Sequence, residues 1–265
     1  GLGVAFIAPL AASLIDSFKW QTALLILGGI AWLVIIPVAQ LLKRDPYVVG
    51  SFPDGASPDN INPESEDNPT YPQKISLLKV VRTMNFWSFL VVWLLMAFSG
   101  LFVMTHIVPH SIDLGFSATE SAAILSFSGI TMIGGRLFTG IITDKWNVKT
   151  IAIIGCLLQA ATLLLLVWAQ DLWILYIFGA VHGFVFGGFG TSISVLIGRS
   201  FGLGDIGKIL GALEVGIFIG AAIGPLLGGY IFDTTDSYQT AFLIMIGTVL
   251  ARIPLVIAVR QKNRE

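Results

Sequence analysis

Four stretches of this sequence, residues 20–42, 84–112, 150–170 and 172–198, contain no Asp, Glu, Lys or Arg, and they constrain the fold more than any other feature. Crossing the hydrocarbon core of a bilayer takes about 20 apolar residues as a helix. Inside lipid, a helix satisfies every backbone N–H and C=O within one segment, so such runs predict membrane helices. Two more runs are as long and carry one internal charge each. Charged residues make up 12% of the chain, against about 25% for ordinary soluble domains. The pattern predicts an all-α membrane protein with eight helices, at about 1–15, 20–42, 84–110, 118–143, 149–170, 172–199, 208–232 and 238–260.

The first of these is too short to span, and it lacks the basic flank and cleavage site of a signal peptide. Its meaning comes from a repeat. "IAPLAASLIDSFKWQTALLILGG" from Ile7 parallels "IGPLLGGYIFDTTDSYQTAFLIMIG" from Ile223. Pro9 matches Pro225, Asp16 matches Asp233, and Gln21-Thr22-Ala23 matches Gln239-Thr240-Ala241. The matched segments lie six helices apart and so share one orientation, which predicts two parallel halves of six. On this reading residues 1–42 are the end of the first half, with four more helices expected upstream, and 83–265 are the second half.

Charge sorts by loop. Of fifteen lysines and arginines, twelve fall at one end of the helices (Lys43, Arg44, Lys74, Lys79, Arg82, Lys145, Lys149, Arg199, Lys208, Arg260, Lys262 and Arg264). Lys19 falls at the other end, with Asp16, Asp113, Asp171, Asp233 and Asp236. The positive-inside rule places the basic end, the linker and the C-terminus in the cytoplasm of a plasma or cytoplasmic membrane. Residues 43–82 are rich in proline and acid and read as a linker between the halves. The end of that linker, "KISLLKVVRT", reads as a helix lying along the membrane surface. The single Cys156 allows no disulfide framework.

Glycine and charge then mark a turn, "GGRLFTGIITDKW" at 134–146. Gly140-Ile-Ile-Thr-Asp144-Lys145 resembles the Gly-x-x-x-Asp-Arg/Lys signature between the eighth and ninth helices of the major facilitator superfamily. "GIFIGAAIGPLLGGYIFD" is similar to that family's glycine-proline motif on its eleventh helix. The resemblance implies a major-facilitator-type fold, from the last part of helix 5 through helix 12 of a 6+6 parallel-repeat bundle. "FWSFLVVWLLMAFSGLFVMTHIVPHSIDLGFS", from Phe86, resembles the seventh helix of the monocarboxylate and oxalate/formate branch, which implies a small organic anion as solute. The middle of the 118–143 helix lacks the cation that oxalate-type exchangers hold there, and Glu214 would repel an anion.

The resemblance also implies a gating role for the turn, with Arg136, Gly140, Asp144 and Lys145 as its residues. An ordinary N-cap for the next helix is the alternative for Asp144. Gly134, Gly135 and Gly140 permit close backbone approach. At 1.5 Å per residue, Arg136 lies about 10 Å from the basic end of its helix, and Glu214 and Arg252 lie at a similar depth. Charges at such depth are costly and face a bundle interior or a cavity. Glu214 is therefore expected to pair with Arg136 or Arg252 when one gate is closed, or to carry the coupling proton. Reaching outward to water is the alternative for all three, above all for Arg252, whose helix is expected to be peripheral, and least for Glu214, whose side chain is shorter.

Gly216, Gly220, Gly224 and Gly228, with Pro225 adding a bend, form a smooth stripe for helix packing. His182 and Gly183 are candidates for the substrate cavity, the family's tenth helix being cavity-lining; a core histidine is the alternative. His106 and His110 share one helix face without enough further ligands for a metal. Trp87, Trp93, Trp168 and Trp173 read as interface anchors. No nucleophile triad, phosphate loop or nucleic-acid signal is present, so neither an enzyme nor a cofactor is expected.

The reading is a secondary active transporter of a small solute, working as a monomer by alternating access. A small organic acid carried with a proton is the first expectation. Drug or metabolite efflux by antiport, and a non-transporting membrane sensor, are the alternatives.

Overall fold

The structure, a computed structural model, describes residues 7, 10, 11, 14, 15, 17–41, 76–202 and 204–260. The expected helix at 1–15 lies largely outside these residues, as do Pro9 and Asp16 of the repeat and residues 43–75 of the linker. The described residues form eight helices: α1 Trp20–Leu41, α2 Leu77–Val81, α3 Met84–Asp113, α4 Ala118–Ile142, α5 Val148–Trp168, α6 Leu172–Phe201, α7 Ile206–Thr235 and α8 Gln239–Ala258. All but α2 are long and apolar enough to cross a membrane. The chain divides into one compact unit at 6–72, which holds α1, and another that runs from 73 to the C-terminus with α2–α8. Within α1, Ala23 is the buried residue.

The helix boundaries follow capping chemistry. Ser117 and Glu120 form a reciprocal capping box at the start of α4, in which the Glu120 carboxylate accepts from Ser117 N and the Ser117 hydroxyl accepts from Glu120 N. Thr83 accepts from Phe86 N to open α3, and Asn147 accepts from Lys149 N to open α5. Gly202, at φ 80°, ends α6 in a conformation that disfavours a side chain.

Lipid is as apolar as leucine, so no hydrophobic force draws these helices together, and small residues that permit close contact take its place. Two helix pairs use the same device. Along α7, a Cβ at Gly216, Gly220 or Gly224 would stand 2.5, 2.1 or 2.2 Å from the carbonyl oxygens of Leu90, Leu94 and Phe98 on α3. Along α6, a Cβ at Gly179, Gly183 or Gly187 would stand 2.7, 2.2 or 2.3 Å from the carbonyls of Ile124, Ser128 and Met132 on α4. Each glycine advances four residues while its partner carbonyl does the same, so one face of each helix runs in register along the other. Gly228 continues the α7 stripe against the rings of Phe102 and His106. His106 Nε2 also lies 2.9 Å from the carbonyl of Pro225, a tie between α3 and the bend in α7.

The remaining helices complete the unit: α5 packs on α6 and α8, and α8 packs on α3. Contacts at one end tie the helices together near the basic loops. Arg199 Nη2 donates to Thr143 O at 2.7 Å. Asn85 and the Arg260 backbone exchange two hydrogen bonds at 2.7 and 3.0 Å. Lys149 Nζ donates to the carbonyls of Ile257 and Val259 at the end of α8. At the opposite end Ser121 donates to Ser111 at 2.9 Å, and Tyr238 stacks on Phe232 with centroids 4.3 Å apart. The short α2 buries Val80 and leaves Lys79 and Arg82 exposed.

Gly220→Ala should therefore destabilise the protein by about 1–3 kcal/mol, because the added methyl meets backbone that cannot rotate away. Gly211→Ala on the same helix meets nothing within 4 Å and should be neutral or slightly stabilising. Thermal unfolding of the two variants in detergent checks the contrast.

Candidate functional site

Between the two glycine-seated pairs lies a cavity of about 360 Å³, reached by side chains from α3, α4, α6 and α7. Trp93, Met96 and Phe186 give it an apolar wall, Thr191 and Ser194 bring hydroxyls, and Arg136 brings its charge. Among the described residues no other charged side chain lines it. Phe186 reaches the cavity because Gly100 leaves room: a Cβ there would stand 2.4 Å from the Phe186 ring. Arg136 is exposed, and its side chain makes no hydrogen bond or ion pair among the described residues. The cavity therefore offers an unengaged guanidinium beside aromatic and hydroxyl groups. Such a constellation fits a solute with a carboxylate at one end and a short carbon skeleton at the other, since guanidinium pairs with carboxylate through two parallel hydrogen bonds.

Behind this wall lies a second arginine, fully enclosed. Arg252 on α8 is 0% exposed. Its Nη1 donates to Gln159 Oε1 on α5 at 2.9 Å, and its Nη2 donates to Leu95 O at 3.0 Å and to Ser99 Oγ, both on α3. Its guanidinium carbon stands 5.2 Å from the ring centre of Phe189 on α6, a cation–π contact. Every acceptor is neutral. The Nε of Arg252 and the Nε2 of Gln159 are buried without a hydrogen-bond partner among the described residues. The expected outward reach of Arg252 does not occur: α8 presents this residue to α3, α5 and α6, where carbonyl, amide and hydroxyl oxygens replace water.

The other predicted residues are placed as follows. Glu214 is exposed on α7, about one turn before the cavity residue Ile217. No ion pair joins it to Arg136 or Arg252 among the described residues, where Lys208 with Asp205 is the one salt bridge. The three charges expected at one depth thus occupy three settings: open cavity, sealed interior and exposed helix face. His182 and Gly183 do not line the open cavity. Gly183 is seated on the Ser128 carbonyl, and helical rotation turns the adjacent His182 inward. That ring is stacked between Phe178 and Phe186, with centroids 5.0 and 6.2 Å away, and its Nδ1 lies 3.5 Å from Thr162 Oγ1.

Asp144 and Lys145 are exposed, without side-chain partners among the described residues. Asn147, not Asp144, caps α5, so the capping alternative falls away. The turn itself is clipped by Arg199 through the Thr143 carbonyl. Gly134 approaches the Phe184 ring and Gly135 the Phe184 carbonyl, but a Cβ at Gly140 would meet nothing within 4 Å. Close approach is thus a property of the first two.

A sequence profile of the Major Facilitator Superfamily matches residues 1–169 and 112–265, which together span the chain. Among curated proteins the chain is similar to monocarboxylate transporter 12 of Rattus norvegicus, 27% identical over 263 residues, covering 92% of this chain and 54% of that protein. It is also similar to monocarboxylate transporter 11 of Homo sapiens, 24% identical over 261 residues, covering 95% of this chain and 52% of that protein. The chain spans about half the length of the curated relatives it matches. Among solved structures it resembles the crystal structure of a transporter of the same superfamily, FucP, in the outward conformation, with TM-score 0.63 and 16% identity. That likeness covers 91% of this chain and 55% of FucP, and it concerns the fold.

The contrast between the two arginines predicts unequal stability effects. Gln159→Ala strips a hydrogen bond from a buried guanidinium and should cost about 1–3 kcal/mol. Arg136→Gln removes no contact and should leave the melting temperature unchanged. Parallel thermal unfolding of both variants makes the comparison.

Proposed function

We propose, for a chain that belongs to the Major Facilitator Superfamily and is an integral, multi-pass membrane protein, that it is part of a secondary active transporter moving a small organic acid by alternating access. The observation that carries this reading is the cavity in which, among the described residues, Arg136 is the one charge beside aromatic, apolar and hydroxyl groups. In this site Arg136 holds the carboxylate, the Thr191 and Ser194 hydroxyls turn from the carbonyls of Gly187 and Gly190, to which they donate in this structure, toward its oxygens, and Trp93, Met96 and Phe186 cover the carbon skeleton. The names of the relatives, monocarboxylate transporters, point to the same solute class.

Coupling follows from electrostatics. Moving one negative charge across a membrane costs or gains about 2.3 kcal/mol per 100 mV. A proton carried with each monocarboxylate cancels that charge. Glu214, one turn from the cavity on α7, is the acid proposed to carry it. In this account residues 1–42 close the first six-helix half, 43–82 are a cytoplasmic linker, and 83–265 form the second half. The exposed Asp144 and Lys145 face the cytoplasm and act in gating, with Arg136 and Gly140 on the helix that precedes them. The transporter works as a monomer in the plasma or cytoplasmic membrane.

Uptake of radiolabelled pyruvate or propionate into proteoliposomes, with propionamide as the uncharged comparison, tests the reading. Carboxylate uptake driven by an inward proton gradient, at least about tenfold lower in Arg136→Gln, is expected, since hydrogen bonds to charged groups are worth about 1.5–3 kcal/mol. Glu214→Gln should abolish the response to the gradient. Equal uptake of acid and amide, or full activity in Arg136→Gln, would overturn it.

A further inference from the structure

We infer that Arg252 sets the electrostatic sign of the cavity from behind its wall, making it a specificity-determining residue that the solute never touches. The inference deepens the organic-acid reading above and rests on it for its biological meaning.

The argument starts from what surrounds the guanidinium. Arginine stays charged in proteins, and here its partners are an amide oxygen, a backbone carbonyl, a hydroxyl and an aromatic ring. No carboxylate neutralises it: no ion pair to Arg252 exists among the described residues, and Glu214 stands exposed on α7. The charge is therefore solvated by dipoles but not cancelled.

Its holders belong to the cavity wall. Leu95 and Ser99 flank Met96, which lines the cavity, and Phe189 lies between the lining residues Gly187 and Gly190. One layer of α3 and α6 thus separates the guanidinium from the open space. In a medium of low dielectric an uncancelled charge so placed acts across that layer.

A purely structural role does not explain the arginine. Replacing buried ionic groups with apolar side chains of similar volume is often neutral or stabilising, so tying helices together does not require a charge. What the arginine supplies, and a leucine or methionine would not, is a fixed positive potential beside Arg136. That potential favours anions and excludes cations of the same size.

The test measures the potential itself. In the full-length protein, cleared of other reactive cysteines (Cys156→Ala in this region), Ser194→Cys places a thiol in the cavity. Its modification rates by an anionic sulfonatoethyl and a cationic trimethylammonioethyl methanethiosulfonate are compared, and their ratio is normalised to that for a free thiol in solution. The ratio should favour the anionic reagent and fall by about fivefold or more in Arg252→Gln, as expected for potentials of a few kT. Gln159→Glu, which sets a carboxylate beside the guanidinium and leaves the arginine in place, should lower it similarly, whereas Arg252→Lys should retain it. Should Arg252→Gln fail to fold, Gln159→Glu decides alone.

A ratio unmoved by neutralisation, or lost equally in Arg252→Lys, would overturn the inference. The reagents report potential and not transport, so a ratio that falls as expected in a protein that carries no carboxylate would sink the organic-acid reading alone. Carboxylate uptake with an unmoved ratio would sink this inference alone.

Discussion

Backbone against backbone, with a glycine at every fourth residue, is the contact on which this structure depends. Helices in lipid gain nothing from hiding leucine, so they associate where their main chains come close. The α3–α7 and α4–α6 pairs meet this condition with the same stepping, at Gly216, Gly220 and Gly224 in one and at Gly179, Gly183 and Gly187 in the other. Committing one face of α6 and of α7 to glycine packing decides what their other faces do. On α6 it turns His182 inward and sends Phe186, Thr191 and Ser194 to the cavity; on α7 it brings Ile217 to the same space. The cavity exists because the two pairs are each tight within themselves.

Arg252 joins the pairs from behind. Its hydrogen bonds to α3 and α5 and its contact with Phe189 on α6 converge from α8, so one side chain touches elements of both pairs and both outer helices. The same geometry leaves its charge uncancelled next to a cavity already lined by Arg136. Packing and electrostatics are therefore one arrangement here: the helices that seal the guanidinium are those that bound the solute space.

Much of this was legible in the sequence. Uncharged length announces a membrane helix without ambiguity, so the seven long helices fall within a few residues of their expected spans. The glycine-proline stripe of α7 was visible as a stripe because it is regular over four glycines. The equivalent stripe on α6 was obscured by Gly188 and Gly190 nearby, and its glycines read as empty space around His182. Its spacing, Gly179-x-x-x-Gly183-x-x-x-Gly187, was the missed signal. Rotation is what the sequence leaves open. Depth along a helix follows from counting residues, which grouped Arg136, Glu214 and Arg252, but the face each occupies depends on the neighbouring helices. Gln159 and Ser99 carry no mark in the sequence, because a neutral polar residue in a fatty helix shows no sign of the cation it meets.

The account's central claim, that Arg136 receives an organic anion in this cavity, is tested most directly by an experimental structure of the full-length protein solved with a transported carboxylate present. The carboxylate should lie within hydrogen-bonding distance of the Arg136 guanidinium, with its carbon skeleton between Trp93 and Phe186 and an oxygen near Ser194. A solute bound elsewhere, with Arg136 turned to lipid or paired to Glu214 in the loaded state, would contradict it.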